Sequence, residues 1–316
     1  MSRCTEDGKV LFMPDRHSSR INQTKIKKQN TRALTKRGNH FHGLKTHNNG
    51  ELRMKFLDCF PGQKQSQGLW SFDLEKKYNG AFGGINGGVL SAISVHVARL
   101  ESDHRQPIGL DSRYLRGFRP GQARVEYSVL NAGRTLSTVN VDIINNDNKL
   151  CTRSVVMLVN PEALAPLDSP GHIGTIDAPK AYEDCRTWPQ PAGYSVPLID
   201  TFQPRILAKD QHGLLTATQV IWDQPGTCAE AACIAADISV GPPVGSVVAG
   251  KASTPNPDLS LRFCQDTELP EQMLASCRLE SMINGLASTR IEVRAKQSIV
   301  AIGVSTTTCI TMKVRP

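Results

Sequence analysis

The sequence predicts an α+β fold made of two tandem copies of one unit, each a curved antiparallel sheet wrapped around a central helix. Three observations carry that expectation. A helix-like apolar run followed by alternating, strand-like segments occurs twice, roughly 150 residues apart. Both runs are apolar on nearly every side, so both need cover on every side, which a strongly curved sheet supplies by wrapping. Between the copies, residues 159–205 hold eight of the chain's 19 prolines, which suit neither a sheet ladder nor a helix interior.

The boundaries follow from composition and texture. The chain has 316 residues and 39% apolar content, enough for one large or two ordinary domains with true cores. Its net charge of +8 belongs to one region: residues 1–50 hold eleven Lys or Arg against three Asp or Glu, and the rest balances at 26 of each sign. Residues 1–65 therefore read as a basic, disordered tail. Such a tail binds polyanions without specificity at most, and no nucleic-acid recognition motif accompanies it. No run reaches the ~18 apolar residues of a membrane span. With neither a leader-like N-terminus nor a peroxisomal tripeptide, the expected location is cytoplasmic. The nine cysteines are odd in number and lack a CxxC pair, so they read as reduced thiols rather than disulfides or a zinc site.

The first unit is placed at 66–160. Gly83, Gly84, Gly87 and Gly88 precede a run in which Val89, Leu90, Ile93, Val97 and Leu100 form a helical stripe. Strand-like segments follow at 110–118, at 124–133 (alternating at Val125, Tyr127 and Val129), at 137–144 (Val139, Val141, Ile143) and in LCTRSVVMLV. Residues 161–205 read as a proline-rich linker with little regular structure. The second unit, 206–316, repeats the order: a helix over 228–239, ended by Gly and Pro, then strands at 258–263, 273–283, 288–295 and 298–314. One such unit leaves a sheet edge exposed, which a second can cover.

That arrangement is the hotdog fold, and the first half resembles double-hotdog acyl-CoA thioesterases of the thioesterase II type. The resemblance rests on FGGINGGVLSA, on Arg119-Pro120-Gly121 after a strand, and on Gly133-Arg134-Thr135 after the next; it covers 70–160 closely and 215–316 more loosely. It implies a tandem hotdog that hydrolyses an acyl thioester, carried on CoA or a carrier protein, with no cofactor or metal. It also allows homo-oligomers formed through the hotdog sheets. Two other readings stand beside it: a hotdog dehydratase, cyclase or acyl-transfer enzyme of specialised metabolism, and a non-catalytic acyl-binding protein.

Thioester hydrolysis needs an activated water, donors for the developing oxyanion and a cleft. Gly87 and Gly88 open the first helix, where backbone N–H groups are unsatisfied and a missing β-carbon allows close approach. The same glycines would serve tight helix–sheet packing. Asn86 offers either a substrate donor or a helix cap. His96 lies on the apolar face and reads as a core histidine. In the second half the resemblance places the family's catalytic Asp on Asp237, an unexpected carboxylate in an alanine-rich run; the alternative is a solvent-facing helix end. It places the family's Thr on Asn256, with Thr254 adjacent, and its Gln on Ser305, so two of three polar positions differ. No nucleophile elbow, P-loop or dinucleotide motif occurs. His40, His42 and His47 lack the acidic or thiol partners of a metal site.

Overall fold

Two apolar helices determine where everything else packs. The computed structural model describes residues 54–103, 105–165, 182–191, 194–264 and 267–311. Most of the expected tail, including His40, His42 and His47, and the middle of the expected linker lie outside the described residues. The first unit opens with a short helix, α1 (Phe56–Cys59), and the strands β1 (Gly62–Ser66) and β2 (Leu69–Leu74). Its central helix α2 (Gly87–Leu100) precedes β3 (Gln106–Tyr114), β4 (Gly121–Ala132), β5 (Leu136–Ile144) and β6 (Leu150–Val159). The second unit follows β7 (Arg186–Thr187) and α3 (Pro197–Phe202), with β8 (Arg205–Lys209), β9 (Gly213–Gln219) and its central helix α4 (Cys228–Val248). After β10 (Ala252–Ser253) come β11 (Asp258–Phe263), β12 (Gln272–Ile283), β13 (Leu286–Ala295), β14 (Ser298–Thr308) and β15 (Ile310–Thr311).

Thirteen strands form one antiparallel sheet, and its order displays the duplication. The first unit contributes β2-β4-β5-β6-β3, the second β9-β12-β13-β14-β11, and the two join where β3 pairs with β11. Asp258 lies opposite Arg113 and Arg262 opposite Gly109 at that seam. The molecule is a tandem hotdog. Alternation works as the sequence indicates: Val125, Val139, Val141 and Ile143 turn inward and are fully buried beneath α2. Val129 is the exception, because a bulge between Val129 and Asn131 carries the β4–β5 hairpin beyond the core and leaves it exposed.

The helices α2 and α4 pack on their own sheets and on each other. They run antiparallel: the start of α2 meets the middle of α4 at Gly88 and Cys233, and the middle of α2 meets the start of α4 at His96 and Glu230. His96 Nδ1 lies 3.0 Å from Glu230 Oε1, and Arg99 also pairs with that carboxylate; all three side chains are buried. His96 is thus a core residue, as its spacing suggests. By length and composition α4 is apolar enough to cross a membrane, but here it is a core helix, mostly buried in its own unit.

Four boundaries differ from the sequence reading. The tail cannot extend to 65, since Phe56 and Phe60 are fully buried. Phe56 stacks on His96 at 4.3 Å and meets Trp222 edge-on at 5.2 Å, while its N–H donates to Gln224 Oε1 at 3.0 Å. Helix α1 therefore bolts the two units together. Residues 161–205 are not a bare linker: α3 and β7 lie within them, and Leu198 and Phe202 are buried. The strand read at 110–118 is displaced, and β3 ends at Tyr114. Lastly, α4 continues through Pro242 and Pro243 rather than ending at 239. Proline removes an N–H and crowds the preceding turn, but Pro243 and Val244 are buried, and their packing holds the helix on course.

A chain beginning at residue 61 is expected to be less stable than one beginning at 54 by at least ~3 kcal/mol in urea denaturation, the cost of losing one buried aromatic. Equal midpoints would show that α1 contributes nothing to the core.

Candidate functional site

Asp237 stands about midway along α4 and is only 8% exposed, at the point where the N-terminus of α2 abuts it. A buried carboxylate needs donors, and both units provide them. Asn86 is the N-cap of α2: its Oδ1 accepts the Val89 N–H at 3.3 Å, and its Nδ2 donates to Asp237 Oδ2 at 2.6 Å. One amide thus caps the helix of the first unit and holds the carboxylate of the second. Asn256 Nδ2 donates to Asp237 Oδ1 at 2.8 Å. The loop carrying Asn256 is itself pinned, with Tyr114 N–H donating to Pro257 O at 2.8 Å and Thr308 N–H to Pro255 O at 3.0 Å.

The Gly88 N–H and the Tyr114 hydroxyl also lower the proton affinity of this carboxylate. Burial raises the Asp237 pKa above the ordinary carboxylate value, and the donations of Asn256, Gly88, Asn86 and Tyr114 oppose that rise. The partial positive charge at the start of α2 acts in the same direction as the donors. Burial, and then the neighbouring Asp237 charge, hold the Tyr114 phenol well above its usual range, so it keeps its proton. Tyr114 Oη lies 2.8 Å from Ser91 Oγ, which donates to Ser112 Oγ at 3.0 Å; Ser112 in turn lies 2.8 Å from Ser154. This line of hydroxyls anchors the phenol from within the first unit.

A cavity of about 600 Å³ opens beside the carboxylate. Asn86, Gly87, Tyr114, Asp237, Thr254 and Asn256 gather at its polar part. Arg116 also lines it, and the rest of its walls are largely apolar: Phe82, Leu90 and Phe118 from the first unit, Trp188, Val196, Leu198 and Ile199 from the segment between units, and Ile238 and Pro242 from α4.

Five of the seven residues singled out in the sequence line this cavity. Gly87 is one of them, and Gly88 lies beneath it. A β-carbon on Gly88 would come within 2.7 Å of both Asp237 Cβ and the Cys233 carbonyl, and one on Gly87 within 2.6 Å of the Tyr114 ring. Both glycines therefore serve close packing. Gly88 also lowers the Asp237 pKa through its backbone N–H. Asn86 is the cap that the sequence allows and a carboxylate donor as well. Ser305, which the resemblance aligns with the family's Gln, is 2% exposed on β14, donates to the Asp258 carbonyl at 2.7 Å, and is not brought to the cavity. Tyr114 and the wall from the inter-unit segment escaped the sequence reading. A strand drawn over 110–118 hid the one signal for Tyr114, a hydroxylated aromatic at a strand end.

Residues 76–159 match the family model of the acyl-CoA thioesterase N-terminal domain. Among solved structures, the chain is similar to a protein named as a thioesterase from Novosphingobium aromaticivorans, with 16% identity and a TM-score of 0.68 over 78% of this chain and 98% of that one. It is similar to an acyl-CoA thioesterase II from Mycobacterium marinum, with 13% identity and a TM-score of 0.61 over 80% and 97% of the two chains. A hot dog fold protein from Alicyclobacillus acidocaldarius aligns at 13% identity and a TM-score of 0.63 over 79% and 96%. At these identities the likeness is one of fold. Comparison with curated proteins gives no match.

Gly88→Ala forces α2 and α4 apart against a backbone oxygen. The expected result is a loss of ~1–3 kcal/mol in denaturant unfolding, the usual cost of overpacking. Parent-like stability would show that the helix contact is looser than these distances require.

Proposed function

We propose that this chain, a double hotdog whose residues 76–159 match the acyl-CoA thioesterase N-terminal domain, hydrolyses an acyl thioester with Asp237 as general base. The supporting observation is the carboxylate itself: buried between the units, raised in pKa, and facing a largely apolar cavity. In the proposed step a water occupies the space beside Asp237 and one of the donating amides or the phenol yields its place. Asp237 takes a proton as the water oxygen attacks the thioester carbonyl, forming the C–O bond. The tetrahedral intermediate then collapses with cleavage of the C–S bond. The thiolate recovers the proton from Asp237, and the products are a carboxylic acid and a free thiol. A carboxyl group whose pKa is raised by burial suits both transfers, since it holds a proton more readily than an ordinary carboxylate and can return it to the thiolate.

Asn256 and Asn86 orient the base, and Tyr114 and Thr254 supply hydroxyls at the carbonyl end of the cavity. Ser305 has no part in this scheme. One observation favours a non-catalytic acyl-binding protein instead. Each Asp237 oxygen already accepts an amide N–H, an arrangement that also serves structure alone.

Thiol release from acyl-CoA separates the two readings. Asp237→Asn removes the basicity and keeps the shape; general-base contributions are ~100- to 10,000-fold. The expected result is a fall of at least ~100-fold in kcat with circular dichroism unchanged. Turnover at the parent rate would overturn the assignment of Asp237. Acyl-CoA binding without thiol release in the parent would favour the binding protein.

A further inference from the structure

Beyond Asp237, α4 borders the cavity with Ile238 and Pro242 and with two glycines that carry no side chain. Gly241 and Gly245 line the cavity at spacings of four and eight residues from Asp237, on the same helical face. A β-carbon on either would meet no atom within 4 Å. This sets them apart from Gly87 and Gly88, where neighbours forbid a β-carbon. Packing therefore gives no reason for glycine at 241 or 245, and glycine inside a helix is unfavourable. What the two glycines leave is room in the cavity.

The wall across that room is fixed in place. Val196 N–H donates to Gln190 Oε1 at 2.8 Å, and Leu198 N–H donates to Asn79 O of the first unit at 3.1 Å. Trp188, Leu198 and Ile199 present apolar surface there. Asn86, Tyr114 and Asn256 collect beside Asp237, and Ile238, Pro242, Trp188, Leu198 and Ile199 give the cavity apolar surface.

We infer that the Gly241–Gly245 face of α4 is the acyl-length ruler of this site, and that the site takes a straight, medium-length acyl chain; this rests on the thioesterase reading above. With the thioester carbonyl at Asp237, the hydrocarbon runs along α4 toward its C-terminal end. Eight residues of helix at ~1.5 Å each span about 12 Å. An extended alkyl chain advances a little less than its ~1.5 Å bond length per carbon, so Gly241 is met at on the order of five carbons and Gly245 at on the order of ten. Each buried methylene is worth roughly fourfold in binding, so a side chain at either glycine removes the longer substrates selectively.

The test uses the full chain and its Gly241→Leu and Gly245→Leu variants, with Gly241→Ala and Gly245→Ala as smaller steps should a leucine variant fail to fold. Thiol release and calorimetric binding are measured on saturated acyl-CoAs from four to sixteen carbons. The parent is expected to accept chains of at least about ten carbons, the length at which Gly245 is reached. Gly245→Leu is expected to lower kcat/KM on chains beyond about eight carbons by at least ~tenfold, and to leave shorter ones within ~twofold. Gly241→Leu is expected to move the cutoff below about six. Variants that change no chain length, or all lengths alike, would overturn the ruler while leaving the hydrolase reading intact. If the parent releases no thiol, the hydrolase reading fails and binding decides the ruler. The same ordered cutoffs in affinity support it, and no length-dependent binding overturns it.

Discussion

The structure depends on one buried carboxylate from the second unit set against the helix start of the first. Left alone, such a charge costs several kcal/mol. Here its donors come from both sides of the duplication: Asn86 and the Gly88 N–H from the first unit, and Asn256 from the second. The charge is tolerable only while the two units are docked, so the pairing of α2 with α4 and the presence of a site are the same event. Two other features hold that pairing. Gly88 lets the helices meet at backbone distance, and Glu230 at the far end of the contact is shared by His96 and Arg99. Helix α1 adds a third tie, filling the gap between His96 and Trp222.

The duplication has become asymmetric in a way that suits chemistry. In the first unit the helix start is a capped, donor-rich end, with Asn86 committed to Val89 on one side and Asp237 on the other. In the second unit the corresponding helix carries Asp237, the proposed base, and, four and eight residues on, the glycines of the cavity wall. The Pro242-Pro243 pair sits within that stretch. The segment joining the units, drawn from the most proline-rich part of the chain, forms the opposite wall. Each element of the cavity thus comes from a different level of the sequence: a cap, a core helix, a strand end and a connection.

Much of this was legible in the residues. Asp237 stood out because a carboxylate in an alanine-rich, all-apolar run needs a reason, and Asn86 because Asn before two glycines and an apolar stripe is a helix start. Alternation located β5, β11 and β13 to within two residues. Other features were hidden for identifiable reasons. In FLDCF, four helical residues are too few to show a period, so the buried Phe56 and Phe60 looked like the end of a polar tail. The pair Pro242-Pro243 obeys a local rule that tertiary packing overrides. Ser305 came from a positional correspondence in a strand, where a shift of one residue reverses the facing of every side chain; its hydroxyl turns to the Asp258 carbonyl. Tyr114 contributes through a register that no local pattern encodes, with its ring lying over Gly87.

The proposed hydrolysis requires that Asp237 be a carboxylate whose proton affinity is raised by burial and whose ionisation governs turnover. The most direct measurement is a carbon-detected NMR titration of the Asp237 carboxyl in the folded protein, compared with the pH profile of kcat/KM for thiol release. Because the ionised form is the base, activity should be lost as pH falls through the raised pKa. The acid limb should therefore lie above the ordinary aspartate value of ~3.9 and coincide with the NMR inflection. An Asp237 that titrates in the ordinary range, or an acid limb that persists unchanged in Asp237→Asn, would contradict the account.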